Sequence, residues 1–225
     1  MARAPKELWP PTFAAAIFDF DGTLADTAHL WYEVDVAWLS ARGLPYDPSF
    51  PREISALGFE DGARYAIERF GLDEKVQDIC DEWNRMGRER YQTRVTLRPG
   101  ARAYLDALRE RGIPVALATT NDPDVLASMR ANVDVYALFD AVVCGNEVAG
   151  SKREPDIYLE AARRLGAEPA GCVVFEDLAE GLAAARAAGM LTCGVLARDH
   201  AQDADEVRAA ADLLLDSWED IDLSC

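Results

Sequence analysis

The sequence predicts an α/β fold: a parallel sheet core covered by helices on both faces, with an all-helical segment inserted after the first strand. Three observations carry this. From about residue 98 onward, short apolar runs alternate with helical patterns, the rhythm of a parallel sheet whose crossovers are helices. Residues 28–96 break that rhythm with helical stripes and no clear strand. The apolar run Ala14 to Phe18 leads straight into Asp19-Phe20-Asp21-Gly22-Thr23, so the first strand ends by projecting two carboxylates into a glycine turn.

Each element has its own signal. Residues 1–12, with Pro5, Pro10 and Pro11, read as a flexible leader. Within the insert, Leu30, Trp31, Val34 and Trp38 recur at three and four, as do Phe59, Ala63, Ile67 and Phe70. Val76, Ile79, Trp83 and Met86 form the third stripe, and Gly43-Leu44-Pro45 and Gly71 punctuate the three. A helix over Gly100 to Arg111 carries Tyr104, Leu105 and Leu108 and stops at Gly112. Val115 to Ala118 is a buried strand. Pro123 opens a helix to about Ala131. Ala141 to Cys144 is the next strand, Pro155 to Leu165 a helix, and Cys172 to Phe175 a strand. Ala179 to Ala188 is an Ala-rich helix ending at Gly189, Thr192 to Leu196 a strand, and Leu213 to Leu215 a last edge strand. The expected domains are therefore a core of 13–27 plus 97–225 and a helical cap of 28–96.

Bulk properties narrow the function. A chain of 225 residues with net charge −17 argues against nucleic acid and anionic membranes as partners. No apolar run reaches the roughly 18 residues of a membrane span, and no signal peptide is evident, so a cytoplasmic protein is expected. Five cysteines (Cys80, Cys144, Cys172, Cys193, Cys225) lie scattered without a C-x-x-C pair, as buried hydrophobes in a reducing compartment would. The two histidines are His29 and His200, the latter in a polar run that reads as a solvated loop. Acid–base chemistry therefore falls to carboxylates. Lysine is limited to Lys6, Lys75 and Lys152.

Strands of a parallel sheet deliver their C-termini to one edge, where ligands bind. Asp19 and Asp21 arrive there from the first strand, Thr119-Thr120-Asn121 from the second, and Glu176-Asp177 from the fourth. Lys152 precedes a helix in Gly150-Ser151-Lys152-Arg153-Glu154-Pro155-Asp156. Taken singly, each is an ordinary turn, helix cap or surface residue. Together they offer a nucleophile, an acid, hydroxyl donors, an ammonium group and oxygen ligands for a hard cation. That set suits phosphoryl transfer through an aspartyl nucleophile.

At these residues the chain resembles the haloacid dehalogenase superfamily of hydrolases, in its phosphatase branch with a helical cap. The resemblance rests on Asp19-Phe20-Asp21-Gly22-Thr23-Leu24-Ala25-Asp26-Thr27, on Thr119, on Lys152 with Pro155-Asp156, and on Phe175-Glu176-Asp177 with Gly181. Arg153 and Leu178 stand where the family often has proline and serine. The resemblance implies a Rossmann-like core and a magnesium-dependent phosphatase acting on a small phosphorylated metabolite, such as phosphoglycolate or a sugar phosphate.

By the same resemblance Asp19 is the nucleophile and Asp21 the acid and base. Magnesium would be held by the Asp19 carboxylate, the Asp21 main-chain carbonyl and Asp177, with Glu176 positioning a water. Gly22, Thr23, Thr119, Thr120, Asn121 and Lys152 would bind phosphate oxygens. Leu57-Gly58-Phe59-Glu60-Asp61 resembles the specificity loop, and Arg52 and Arg64 are nearby cations for an anionic substrate. Dehalogenating and phosphonate-cleaving relatives typically lack an acid at the position of Asp21. Sugar-phosphate mutases of this branch usually carry histidine where Trp31 stands. A mutase therefore remains an alternative, as does a non-catalytic phosphate-binding or interaction protein. A response-regulator receiver would be about half this length and lack the insert. The expected assembly is a monomer or homodimer.

Overall fold

The computed structural model describes residues 6–197 and 202–224. Six parallel strands form one sheet in the order β3-β2-β1-β4-β5-β6. They are β1 (Ala15–Phe18), β2 (Val115–Thr119), β3 (Ala141–Cys144), β4 (Cys172–Glu176), β5 (Leu191–Val195) and β6 (Leu213–Leu215). The chain leaves β1 to build β2 and β3 on one side, then returns to lay β4 on the other. That reversal opens a crevice at the carboxyl end of β1, where ligands of such sheets bind. Phe18 pairs in register with Leu117 on β2 and Phe175 on β4, which brings the three strand ends level.

β1 is buried on both faces, and its alternating residues feed two different cores. Phe18 stacks on Phe175 at 4.7 Å between centroids, among Tyr104, Trp218 and Leu105. Ala15 and Ile17 face the opposite side, where Ala116, Ala118, Ala161 and Ala185 let helices pack closely. The aromatic side thus fixes position by shape, and the small-residue side by close approach.

Ten helices complete the described fold: α1 (Ala28–Ala41), α2 (Ser49–Ile54), α3 (Phe59–Phe70), α4 (Val76–Arg94), α5 (Ala101–Glu110), α6 (Pro123–Ser128), α7 (Val135–Leu138), α8 (Asp156–Leu165), α9 (Ala179–Ala187) and α10 (Ala204–Ala210). The three stripes read in residues 28–96 appear as α1, α3 and α4. They enclose a separate apolar cluster containing Val34, Trp38, Phe50, Ala63, Ile79 and Trp83. Glu33 on α1 accepts from Arg94 on α4 at 2.6 and 2.8 Å, closing the bundle on its outer side.

Several expectations are corrected. Residues 6–12 are not a loose leader: Leu8 is fully buried, its carbonyl accepts from the Tyr104 hydroxyl at 3.1 Å, and Arg111 lies over the Trp9 ring. Residues 1–5 lie outside the described residues. The helix opened by Pro123 ends at Ser128 rather than Ala131, because Val133 and Val135 must turn back into the core. Helices α2, α7 and α10 were not anticipated; each has seven residues or fewer, too short to display a stripe. The loop containing His200 lies outside the described residues, as does Cys225, while Cys80, Cys144, Cys172 and Cys193 are free and buried. No helix among the described residues is long and apolar enough to cross a membrane.

Candidate active site

The site begins where β1 ends. Asp19 donates its main-chain N–H to the Phe175 carbonyl at 2.9 Å, so it remains in the sheet although its side chain serves the crevice. The chain then reverses tightly, with Gly22 N–H donating to the Ala25 carbonyl at 3.0 Å. Gly22 has φ of +78°, and a Cβ there would fall on Asp177 Oδ2. Glycine is required at this position on both counts. The Arg98 guanidinium donates to the Gly22 and Leu196 carbonyls at 2.8 and 3.0 Å, and Trp218 Nε1 donates to the Thr23 carbonyl at 3.0 Å. The turn is held from outside, so the carboxylates keep their places.

Asp19 is buried, and its two oxygens have different surroundings. The Lys152 ammonium donates to Oδ1, whereas Oδ2 is buried without a partner. Lys152 also donates to Glu176 Oε1 at 2.9 Å, and Tyr158 donates to the same oxygen at 3.3 Å. Glu176 Oε2 accepts from the Asp177 N–H at 3.1 Å. A Cβ on Gly181 would meet Glu176 Oε1, so that glycine admits the carboxylate. Burial alone would lower the Lys152 ammonium, but Asp19 and Glu176 hold it well above the ordinary lysine value. Burial pushes Glu176 up, with Asp19 adding to it and Lys152 opposing.

Asp19, Glu176 and Asp177 each present an oxygen within 4.8 Å of the others, all three residues buried. One ammonium cannot balance three buried carboxylates, and an orphaned oxygen points to a missing partner. The donors are all oxygen, which suits a hard divalent cation. These residues therefore fit such an ion.

Asp21 is oriented quite differently. Thr27 Oγ1 donates to its Oδ1 at 2.5 Å and Asn121 Nδ2 donates to its Oδ2 at 2.5 Å. The Tyr91 hydroxyl, at the end of α4, also donates to Oδ1 and accepts from Trp31 Nε1 at 2.7 Å. Burial raises the Asp21 carboxyl, and Asp19 raises it further, against the lowering effect of those hydrogen bonds. Two adjacent carboxyl groups thus have different environments: Asp19 faces a cation, and Asp21 faces hydrogen-bond donors that oppose the upward push of burial and of Asp19.

Asp19, Asp21, Gly22, Thr120, Asn121, Lys152 and Asp177 line one cavity, whose empty volume, mouth included, is about 1140 Å³. Helices of the insert roof it. The Lys152 N–H donates to the Ala56 carbonyl at 3.0 Å, so the loop that carries the ammonium is tied to that roof.

Residues 13–189 match the family model described as haloacid dehalogenase-like hydrolase. The chain belongs to that family. A "Probable pseudouridine-5'-phosphatase" of Drosophila melanogaster is 33% identical over 180 residues, covering 77% of this chain and 78% of its own. The "Phosphorylated carbohydrates phosphatase" of Thermotoga maritima is 29% identical over 176 residues, covering 78% and 82%. Among solved structures, CbbY from Rhodobacter sphaeroides in complex with phosphate superposes with a TM-score of 0.78 at 28% identity, over 92% of this chain and 95% of that one. This haloacid dehalogenase-like hydrolase is an enzyme of the phosphoric monoester hydrolase class.

The structure brings most of the expected residues of this hydrolase together, with distinctions. Thr119 is fully buried behind the cavity, its Oγ1 accepting from the Asn121 N–H at 3.1 Å. Thr23 orders Asp177 rather than lining the cavity, its hydroxyl donating to Oδ1 at 3.4 Å. The Asp21 side chain is not part of the acidic cluster. Arg52 and Arg64 are not brought to the cavity at all. Arg52 donates to Asp203 at 3.0 Å, and Arg64 donates to Asp61 and Glu60 at 2.7 and 2.9 Å on an exposed face. Of the expected specificity loop, Leu57, Gly58 and Phe59 line the cavity.

Two residues at the site were missed. Tyr91 lies five residues beyond Met86, the last position read in its stripe, and extends the same buried side of α4. Asp35 follows Val34 and precedes Trp38 by three, so an acid sits inside an apolar stripe, a legible but unread signal. It lines the cavity, 5% exposed, and burial pushes its carboxyl up to about 7. The folded protein then holds a proton there that the unfolded chain releases near pH 4. Stability should fall as pH rises from about 4 to 7, by on the order of 4 kcal/mol in full linkage, less where cavity water reaches the carboxylate. Chemical denaturation at pH 5 and pH 8 should show a smaller drop for Asp35→Asn than for wild type. Equal drops would place the titration elsewhere.

Proposed function

We propose that this hydrolase is a magnesium-dependent phosphatase of a small phosphorylated metabolite, working through an aspartyl-phosphate. The observation that carries the reading is the pairing of Asp19, whose one oxygen is paired with Lys152 and whose other is unpaired, with Asp21 in the same cavity. Asp19, Glu176, Asp177 and the Asp21 main-chain carbonyl would hold the cation or its waters. When bound, magnesium neutralises charge between anionic nucleophile and anionic substrate.

Asp19 attacks phosphorus and takes the phosphoryl group. Lys152, with the N–H groups of the turn after Asp19, binds the transferring oxygens as charge builds on them. Asp21 gives its proton to the leaving oxygen and then takes one from the water that cleaves the acyl-phosphate. Tyr91, Thr27 and Asn121 fix its direction. Trp31 occupies the position where mutases of this branch carry histidine, and its Nε1 is already committed to Tyr91. It has no basic nitrogen, which favours hydrolysis over intramolecular transfer. The net charge of −17 supports a small-molecule substrate over nucleic acid, and the four cysteines among the described residues, free and buried, support a reducing, cytoplasmic setting.

The test is hydrolysis of 4-nitrophenyl phosphate with magnesium and with chelator. Magnesium-dependent turnover is expected, and turnover undiminished by chelator would overturn the cation assignment. Gly22→Ala adds a check on geometry. The new methyl group competes with Asp177 Oδ2 and requires an unfavourable backbone, costing about 1–3 kcal/mol of stability. The magnesium concentration for half-maximal activity should rise, as measured by metal titration of the folded variant.

A further inference from the structure

Trp31 on α1 and Tyr91 on α4 belong to the helical insert, yet together they lead to the carboxyl group of Asp21. Trp31 Nε1 donates to the Tyr91 hydroxyl at 2.7 Å, and that hydroxyl donates to Asp21 Oδ1. An indole N–H can only donate, whereas a tyrosine or histidine in its place could also accept. The Tyr91 oxygen is therefore kept as an acceptor on the Trp31 side, and its one hydrogen is left for the carboxyl group. Trp31 is itself held at an angle against the Tyr91 and Phe59 rings, with centroids 5.8 and 5.9 Å apart. Tyr91 is fully buried, so bulk water does not compete for its hydrogen.

Counting lone pairs then separates the two oxygens of Asp21. A carboxylate oxygen has about two acceptor sites. Those of Oδ1 are both taken, by Tyr91 and by Thr27 Oγ1 at 2.5 Å. Among the described residues Oδ2 accepts only from Asn121 Nδ2, at 2.5 Å, and keeps one site. The partners also divide by place: Asn121 lines the cavity with Asp21, while Thr27 and Tyr91 stand behind its wall. The oxygen with the open site is thus the one whose partner lines the cavity.

We infer that Trp31 and Tyr91 act in series as positioning residues that saturate Oδ1, so that Oδ2 is the atom of Asp21 that gives and takes the proton. The inference rests on the phosphatase reading and deepens it. As the bond from Asp19 to phosphorus forms and the ester bond breaks, the Oδ2 proton passes to the leaving oxygen. When water attacks the aspartyl-phosphate, Oδ2 takes a proton from it and the Asp19 carboxylate is released. Without the Tyr91 hydrogen, Oδ1 gains an open site, the proton divides between two oxygens, and the carboxyl group loses one of the donors that aim it. Loss of the Trp31 N–H acts one step removed, because the Tyr91 hydroxyl is then free to turn its hydrogen away.

The experiment compares phenyl phosphate with 4-nitrophenyl phosphate on the magnesium-loaded full chain. The two esters share a ring and differ in how much the leaving oxygen needs a proton, since nitrophenolate departs as a stable anion and phenolate does not. The quantity read is kcat/KM, which covers the steps through phosphoryl transfer. Tyr91→Phe should lower it by about tenfold or more for phenyl phosphate, and by several-fold less for 4-nitrophenyl phosphate. Trp31→Phe should show the same preference at smaller size, and the double variant should lose no more than Tyr91→Phe alone, as residues acting in series do. A residue that only supports the fold or seats the ring would lower both esters alike. Equal losses on the two esters, no loss on either, or losses that multiply in the double variant would overturn the inference and leave the phosphatase reading intact. Circular dichroism with a thermal melt checks folding, and should Tyr91→Phe not fold, the ester ratio of Trp31→Phe decides alone. Failure of folded wild type to hydrolyse either ester would overturn the phosphatase reading, and this inference with it.

Discussion

Asp19→Asn should lose turnover of 4-nitrophenyl phosphate by three orders of magnitude or more, on the order expected when a covalent nucleophile is removed. The amide has nearly the carboxylate's shape but lacks the charge and the nucleophilicity to open the reaction. The fold should survive, because Asp19 keeps its main-chain bond to Phe175 and the Lys152 ammonium keeps Glu176. Circular dichroism with a thermal melt separates the two effects. Near-normal turnover from a folded variant would reject Asp19 as nucleophile, and a lost melting transition would make the activity loss uninformative about chemistry.

Lys152→Ala is the second large effect, and it should touch stability as well as rate. The ammonium is 2% exposed and stands against Asp19 and Glu176, with Asp177 beside them. Removing it leaves the buried carboxylates without their cation, which costs about 3–5 kcal/mol in comparable buried pairs. Turnover should fall by about a hundredfold to a thousandfold, as when a fixed charge is taken from a transition state. Magnesium should restore more of the lost melting temperature in this variant than it adds to wild type, because it takes over part of the missing charge. An unchanged melt without metal would mean that the carboxylates are neutral and the ion pair is not what balances them.

Much of this site was legible because its residues sit at strand ends. A buried strand in a parallel sheet is a short apolar run, and Asp19, Thr119 and Glu176 follow such runs directly. Strand limits shifted by no more than a residue, as at Leu191–Val195, since the sheet's apolar pattern fixes where pairing can continue. What was not legible depends on where helices point. Arg52 and Arg64 lie near the specificity loop in sequence, yet their guanidinium groups find acids on Asp203 and on their own helix face. Asp35 and Tyr91 show the converse. Each lies on a helix face that reads as core, and only the docking of that face brings Asp35 to the cavity and the Tyr91 hydroxyl to Asp21. Helix periodicity gives the face and leaves its neighbour undetermined.

The hydrogen bonds to Asp21 have a consequence for modularity. Thr27 stands just before the helical insert and Tyr91 near its end, so both segments crossing between the two parts of the molecule terminate on the same carboxyl group. An insert exchanged as a cassette with another family member, cut outside these two residues, would carry away two of the three groups that orient Asp21 and leave only Asn121. The graft could preserve every motif of the sheet edge and still misdirect the proton. Diversification of such a roof is therefore constrained at its two seams and free in its middle.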